Sequence, residues 1–347
     1  MANAIRGSCW CLTLLKTIRC RQAKQKGRSG VTIAIIIVNY RTADLVVDCL
    51  ASLVGERSDD LLFRVFVGDA ASGDGSVDAI ARAIEQRGWS DWASCDDIGR
   101  NDGFAFGNNH MVQTKVLPDP AIDFVHFLNP DTYIRPGAVR TLVDFLRSHP
   151  GAGIAGSRLE NPDESPRAFA FRFPTPWREF VRGANLALMD RLLPRGRVKM
   201  PTPDAACPVD WVSGASFMVT RALLERIGLM DPGYFLYFEE TDLMARAHAA
   251  GFEVWHVPAS RVVHLAGQST GVRTDTGKAA PPSPHWLASR RRYFEKHHGR
   301  MGALVADMAY VAGDRLHALK CLLRRRPATD RPPLWASYIA PWMGRRP

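Results

Sequence analysis

No apolar run in this chain reaches the roughly 18–20 residues that a helix needs to cross a bilayer, so nothing in the sequence reads as a membrane span. Cysteine is sparse: seven residues, scattered, with no Cys-x-x-Cys pair and no Cys/His cluster at zinc spacing. Cys9-Trp10-Cys11 has the wrong spacing for a zinc knuckle. That pattern excludes a disulfide scaffold or a zinc ribbon and fits reduced thiols in a cytosolic protein. No Gly-x-Gly-x-x-Gly follows the first strand and no Walker A motif occurs, so neither of the common glycine-rich phosphate cradles is present. A secretory leader is also missing in form. The mildly apolar run Trp10–Ile18 is interrupted by Lys16 and followed, not preceded, by Arg19, Arg21, Lys24, Lys26 and Arg28. Residues 1–30 therefore read as a basic, partly amphipathic extension able to touch a membrane. Acidic residues are the minority charge: 35 against 45 Lys and Arg, for a net charge of +10. Such a balance suits an anionic partner, whether nucleic acid, a phosphorylated substrate or an anionic membrane surface.

What is present centres on Asp123–Thr132. Phe124–Leu128 is an apolar run of strand length, as expected of a parallel strand covered on both faces. Pro130 offers no amide donor and ends the ladder. Asp131 and Thr132 thus lie just past the carboxyl end of a central strand, where open α/β sheets bind ligands. A carboxylate there suits a divalent cation holding a diphosphate, because Mg²⁺ commonly takes one or two carboxylates plus phosphate oxygens. The same residues can also serve as an Asx-type turn.

Around that stretch the chain alternates strand, polar tip and helix. Val31–Val38 is a β-branched strand closed by Asn39-Tyr40-Arg41-Thr42. A helix follows, with Leu45, Val46, Cys49, Leu50 and Leu53 at helical spacing. Val65–Val67 is a second strand ending at Gly68-Asp69, and a helix begins near Asp74 or Ser76. Repeated βα units argue for a parallel sheet with right-handed crossovers. Residues 89–100 read as irregular. Asn101–Asn109 reads as a glycine- and asparagine-rich loop whose two phenylalanines pack under a ligand, with a helix starting at Asn108.

The second half is less regular. Pro136–Leu146 reads as a helix. Residues 160–206 are rich in proline and arginine and read as a surface excursion around one helix, Glu179–Leu193. Val209–Val219 reads as a strand with a break at Gly214. Phe235–Phe238 leads into Glu239-Glu240-Thr241-Asp242, with a helix from Thr241 to Ala250 capped by Gly251. Three carboxylates at a helix N-terminus beside an aromatic run can be ordinary capping, or can include a general base in a partly dry site. Val254–Val257 and Arg261–His264 read as two short strands, the second ending in a histidine that is either structural or a ligand. From Ser283 onward the pattern is helical and basic, with Arg290, Arg291, Arg292, Lys296, Arg300 and Arg324–Arg326 among Tyr293, Phe294, Met301, Leu304, Val305 and Met308. Such helices lie on anionic membranes or pack on a core with a solvated basic face.

Read together, these blocks resemble the inverting glycosyltransferases of family 2, and most closely their rhamnosyltransferase-like branch. The resemblance runs from about Thr32 to Gly299. It rests on Val38-Asn39-Tyr40, Gly68–Ser76, Asn101–Asn109, Leu128–Thr132, Trp211–Ala215, Phe235–Leu243 and Val262-Val263-His264, in that order. It implies a GT-A fold: an α/β architecture with a mixed, mostly parallel central sheet flanked by helices. Residues 31–282 would form the transferase domain and residues 283–347 a basic helical extension. It implies that Asn39, Tyr40, Arg41, Asp69, Asn101, Gly103, Phe104, Asn109, Asn129 and Asp131 contact a nucleotide-diphosphate sugar. Asp131 and His264 would bind Mg²⁺ or Mn²⁺. Trp211, Ser213 and Gly214 would meet the acceptor, and the acidic group Glu239, Glu240 and Asp242 would supply the base. The partners implied are a nucleotide-diphosphate sugar donor, a cell-surface glycan or lipid-linked acceptor and an anionic membrane surface, with no nucleic acid. The setting is cytoplasmic, at the inner face of the cell membrane.

Three positions depart from the family pattern. Its Glu-Asp stands here as Glu239-Glu240, so the base is Glu240 or Asp242. Its Asn after Asp69 is Ala70, and Arg41 replaces a smaller polar residue after Tyr40. Two other functions compete: nucleotidyl transfer to a sugar phosphate, and a non-catalytic sugar- or partner-binding module. The first favours a glycine-rich basic loop after the first strand, where this chain has Asn39-Tyr40-Arg41.

Overall fold

The structure is a computed structural model that describes residues 30–185, 196–201, 203–265, 282–324, 335–339 and 342. In chain order the elements are β1 (Val31–Asn39), α1 (Ala43–Leu53), β2 (Leu61–Asp69), α2 (Ser76–Gln86), β3 (Ala93–Asp97), α3 (Phe104–Met111), β4 (Phe124–Leu128), β5 (Thr132–Ile134), α4 (Ala138–Ser148) and β6 (Ala152–Glu160). There follow β7 (Ala170–Phe171), α5 (Pro176–Ala184), β8 (Cys207–Pro208), β9 (Trp211–Val212), β10 (Ser216–Thr220), α6 (Arg221–Ile227), α7 (Glu239–Ala249), β11 (Glu253–His264), α8 (Pro284–Leu323) and α9 (Trp335–Ile339).

The main sheet runs β3-β2-β1-β4-β10-β6-β11-β5, with β8 also on β11; β7 and β9 form a small second sheet. Pairs β3/β2, β2/β1, β1/β4 and β6/β11 are parallel, while β10 is antiparallel to both β4 and β6. Six strands therefore share one direction, and their carboxyl ends lie along one edge. β10 runs the other way, so the residues that lead into it, 213–215, reach that same edge. This is the mixed, mostly parallel sheet that the sequence predicts.

β1 is buried from Val31 to Ile37, which is why it reads as an unbroken apolar run. Ile33, Ile35, Ile36 and Ile37 are wholly out of water. Each contributes roughly 1.5–3 kcal/mol of transfer free energy, enough to fix the strand whose tip opens the site.

Several sequence-based boundaries move. Asn101–Asn109 is not a loop: α3 begins at Phe104, and Phe104 and Phe106 pack half-buried on the main core. The 89–100 region holds β3, and β6 occupies a stretch that no apolar periodicity marked. The two expected late strands are one, β11, with an irregularity between Val257 and Arg261. Val209–Val219 is divided, with β9 in the small sheet and β10 in the large one. The helix expected over Glu179–Leu193 runs instead over Pro176–Ala184; residues 186–193 lie outside the described residues, as do residues 1–29, Arg325 and Arg326.

α8 is two helices joined at Gly299, whose φ of 68° interrupts the helical backbone. It lies against α5 so closely that a Cβ on Gly313 would sit 2.2 Å from the Phe180 carbonyl oxygen, and one on Gly183 2.4 Å from that of Tyr310. At the crossing, buried Arg290 pairs with Glu179 and Asp307, Arg182 reaches Glu179 at 2.6 Å, and Trp342 Nε1 donates to Asp307 at 2.7 Å. Among the described residues no helix is long and apolar enough to cross a membrane.

Candidate active site

The shared strand edge gathers Asn39, Asp69, Asn129–Asp131 and His264. Asp69 is buried and fully engaged. Its Oδ2 accepts from Asn39 Nδ2 at 2.6 Å and Ser72 Oγ at 2.7 Å, and its Oδ1 accepts from the Ser72 amide at 2.8 Å. The latch fixes the tips of β1 and β2. Beyond it Arg41 adopts a left-handed backbone, with φ of 57°. Its amide donates to Ser72 Oγ and its Nε to the Ser72 carbonyl. Its guanidinium lies 5.2 Å from the centre of the half-exposed Tyr40 ring. An open cleft of about 470 Å³ separates Arg41–Leu45 from Asp74–Ser76.

The 101–109 block forms the next wall. Gly103 has φ of 97°, and a Cβ there would lie 2.1 Å from the Phe235 carbonyl oxygen. Only glycine permits this approach, and it brings the Phe104 amide within 2.8 Å of that oxygen. Asn101 Oδ1 accepts from the Gly103 amide and shapes the turn. Asn109 is used elsewhere: its Nδ2 donates to the Met230 carbonyl and its Oδ1 accepts from the Met230 amide, so its side chain ties α3 to the 230 loop.

At the end of β4, the Asn129 amide donates to the Ala215 carbonyl. Asn129 Oδ1 is buried without a hydrogen-bond partner among the described residues. Asp131 is buried, and His264 Nε2 lies 3.3 Å from its Oδ1. Register explains the meeting: His264 on β11 pairs with Thr132 on β5. Among the described residues no three His, Cys, Asp or Glu side chains group closely enough to hold a metal on their own. The Asp131–His264 pair nevertheless suits Mg²⁺ or Mn²⁺, hard or borderline cations that take few protein ligands when phosphate oxygens complete the shell. Cys49 lies beneath, 3.6 Å from Thr132 Oγ1; burial pushes its thiol up to about 12, which excludes it as a nucleophile at neutral pH.

The acidic group occupies the first turn of α7. Tyr237 and Phe238 both have left-handed backbones, φ of 72° and 69°, each costing on the order of 1 kcal/mol. Phe238 is held there by Trp286 and Tyr293 of α8, with ring centres 5.7 and 5.6 Å away. α7 then starts at Glu239, two residues earlier than the aromatic run suggests. Glu240 and Asp242 consequently point about 200° apart around one helix. Asp242 faces inward: it takes Arg246 at 2.9 Å, Lys296 at 2.8 Å and His297 at 2.8 Å. Hydrogen bonds from His297, Lys296 and Arg246 overcome its burial and hold the carboxyl far below the usual carboxylate range. Glu240 faces a cleft. A Cβ added to Gly214 would come within 3.5 Å of its Oε1, and its Oε2 is buried without a hydrogen-bond partner among the described residues. Burial raises its pKa above the ordinary glutamate value. Glu239 is buried beside it and pushed well above that value, first by desolvation and then by Glu240 itself. Of the two acids that the sequence offers as a base, Glu240 faces the cleft and Asp242 faces Arg246, Lys296 and His297.

The cleft over Glu240 encloses about 390 Å³ between Trp211, Tyr237, Phe238, Trp286 and α5. Trp211 stacks on Phe171 with ring centres 4.1 Å apart and donates its Nε1 to the Arg172 carbonyl. The Ser213 amide donates to the Phe169 carbonyl, and Ser213 Oγ accepts from the Ala215 amide. Trp286, Arg178 and Arg182 also line this cleft. The local sequence marks none of them, since they arrive through the docking of α8 on α5. Asn39, Asp69, Asn129, Asp131 and His264 thus share the strand edge, whereas Trp211, Gly214 and Glu240 meet in the cleft reached from the start of β10.

With that geometry in view, three comparisons are informative. The sequence profile of the family described as Glycosyltransferase like family 2 matches residues 30–292. The chain is 32% identical over 155 residues to an N-acetylglucosaminyl-diphospho-decaprenol L-rhamnosyltransferase of Mycobacterium tuberculosis, covering 43% of this chain but only 49%, about half, of that relative. It is 24% identical over 238 residues to the rhamnosyltransferase WbbL of Escherichia coli, covering 67% of this chain and 83% of that one. The crystal structure of GalNAc-T7 with UDP, GalNAc and Mn²⁺ superposes with a TM-score of 0.57 at 13% identity, over 91% of this chain and 58% of that one. This last likeness is one of fold.

Proposed function

Because the chain belongs to glycosyltransferase-like family 2, we propose that it is an inverting glycosyltransferase. It moves a sugar, rhamnose being the first candidate, from a nucleotide-diphosphate donor to a hydroxyl of a cell-surface glycan or lipid-linked acceptor. The observation that carries this reading is the division of labour on α7: Glu240 looks into an aromatic cleft with a raised pKa, while Asp242 is engaged by Arg246, Lys296 and His297.

In this reading the donor lies along the strand edge between the Asn39–Asp69 latch and Asp131, with Tyr40 and Arg41 beside it. The acceptor enters the cleft against Trp211 and Gly214. Its hydroxyl gives its proton to the Glu240 carboxylate as its oxygen attacks the anomeric carbon. The bond from that carbon to the diphosphate oxygen breaks on the opposite face, so configuration inverts. A raised pKa makes the ionised Glu240 a stronger base near neutral pH. Asp131 and His264 would hold Mg²⁺ or Mn²⁺, which when bound would supply positive charge to offset that of a departing nucleoside diphosphate. Residues 31–282 are the catalytic domain and residues 283–347 an extension, whose first described helix braces α7 through Trp286, Tyr293, Lys296 and His297. A lipid-linked acceptor places the reaction at the inner face of the cell membrane.

A panel of nucleotide sugars, screened with Mn²⁺ by thermal shift and then for turnover, tests the reading. A donor at about 100 times its dissociation constant stabilises the fold by about 2.7 kcal/mol. If no nucleotide sugar either stabilises the protein or is consumed, the proposal is wrong.

A further inference from the structure

We infer that the second half of α8 is a membrane-docking face, and that its exposed leucines and methionines, not the arginine cluster before them, supply the binding. The inference rests on the reading above only in its choice of a lipid surface as partner.

The arginines of the first half are already used. Arg290 is buried on Glu179 and Asp307. Arg291 pairs with Glu295 at 2.9 Å, and Arg292 and Lys296 both hold Asp231. Beyond the break at Gly299 the helix turns its small and aromatic residues inward: Ala303, Ala306, Tyr310 and Gly313 are buried. Its outer face is where polar residues belong, yet Met301, Val305, Met308 and Ala312 are exposed there, followed by Leu316, Leu319, Leu322 and Leu323. Met301, Met308, Leu319, Leu322 and Leu323 are between 51% and 75% exposed. Steps of three and four residues keep these side chains on one stripe, which over this span is about 33 Å long.

Charge selects the occupant. Along this half Arg300, Arg315 and Arg324 are exposed and Lys320 is partly so, against one partly exposed acid, Asp314. Two copies of the chain meeting here about a two-fold axis would bring cations against cations. An anionic bilayer satisfies both features, because the apolar stripe sinks to the acyl boundary while the flanking cations meet lipid phosphates. α5 carries Arg178 and Arg182 on the Glu240 cleft and Gly183 against α8, so one helix separates the stripe-bearing half from that cleft.

The test is flotation of the full chain with vesicles of phosphatidylglycerol and, separately, phosphatidylcholine. Leu319→Asp combined with Leu322→Asp should weaken partitioning into phosphatidylglycerol by about tenfold or more. The thermal midpoint and donor turnover should stay unchanged, since both positions are exposed and far from Glu240 in the chain. Arg291→Gln should change partitioning by less than about twofold. High salt should weaken binding without abolishing it. The inference is overturned if the double variant floats like the parent, if the parent floats with neither vesicle, or if sedimentation shows the stripe pairing two chains in place of binding lipid. Absence of donor turnover in the parent would instead overturn the catalytic reading and leave the flotation result standing.

Discussion

Glu240→Gln and Asp242→Asn should fail in different ways, and the structure sets the size of each failure. Glu240 faces the cleft and makes no ion pair among the described residues, so its amide replacement leaves packing intact. Loss of a positioned general base costs about 10²–10⁴-fold in turnover, with donor affinity retained because the strand edge is untouched. Asp242 is the opposite case. Its side chain has no exposure and anchors Arg246, Lys296 and His297, which are 22%, 33% and 21% exposed. Removing one partner of a buried ion pair costs about 3–5 kcal/mol, and partial solvation of these three side chains favours the lower end. About 3 kcal/mol lowers the melting temperature of a domain this large by roughly 5–10 °C. Asp242→Asn should therefore melt early yet, assayed well below its midpoint, keep turnover within about tenfold of the parent, because the residue reaches no substrate. The assay is single-turnover transfer from the identified donor, beside thermal denaturation of each variant. Near-normal turnover in Glu240→Gln, together with loss of transfer in a folded Asp242→Asn, would refute the assignment.

Asp131→Ala should abolish most donor turnover and the Mn²⁺-dependent rise in melting temperature while leaving the apo melting temperature within a few degrees; turnover undiminished in chelator would refute the metal assignment. Glu239 has its folded pKa raised, so the native state holds a proton that the unfolded state releases, and stability falls as pH rises from the ordinary carboxylate range through that raised value. Glu239→Gln should flatten this loss and raise the melting temperature at neutral and alkaline pH, which a pH series of melts will show. Transfer by the parent should rise with pH through the raised pKa of Glu240, as expected of a base that must be ionised. Gly313→Ala should destabilise by about 1–3 kcal/mol, as overpacking does, because its Cβ would press on the Phe180 carbonyl; an unchanged melting temperature would show that the crossing can open.

Legibility in the sequence followed the physics of each element. β1, β2 and β4 are buried on both faces and announce themselves as apolar runs. Their punctuation by Asn39, Asp69 and Pro130-Asp131 marks the strand edge without any coordinates. β6 escaped because Gly153, Gly156, Ser157 and Arg158 break the apolar pattern, and its identity comes from pairing with β10 and β11 rather than from its own composition. α3 was hidden by glycine and asparagine, poor helix formers whose cost is offset by close packing against the 230–235 segment. The Glu240 cleft was legible only on one side. Trp211 and Gly214 stand near a motif, but Trp286 and α5 reach the cleft through contacts made more than a hundred residues apart in sequence. The Glu240 or Asp242 ambiguity is a question about helix phase: α7 begins at Glu239, which turns Glu240 to the cleft and Asp242 to His297 and Lys296 on the far side.

The tie between Asp242 and His297 spans 55 positions, and that separation has a consequence during synthesis. A ribosome adding about 5–20 residues per second needs roughly 3–11 s to travel from one to the other. Once β11 has emerged as far as His264, a nascent chain has all the strands of the edge while α7 still lacks Lys296 and His297. The tether of the emerging polypeptide therefore separates two events in time: the strands of the edge are available first, and the partners that orient α7 only after the start of α8 has cleared the exit tunnel. A translation product that stops before α8 would carry the strand edge with Asp242 short of two of its three partners.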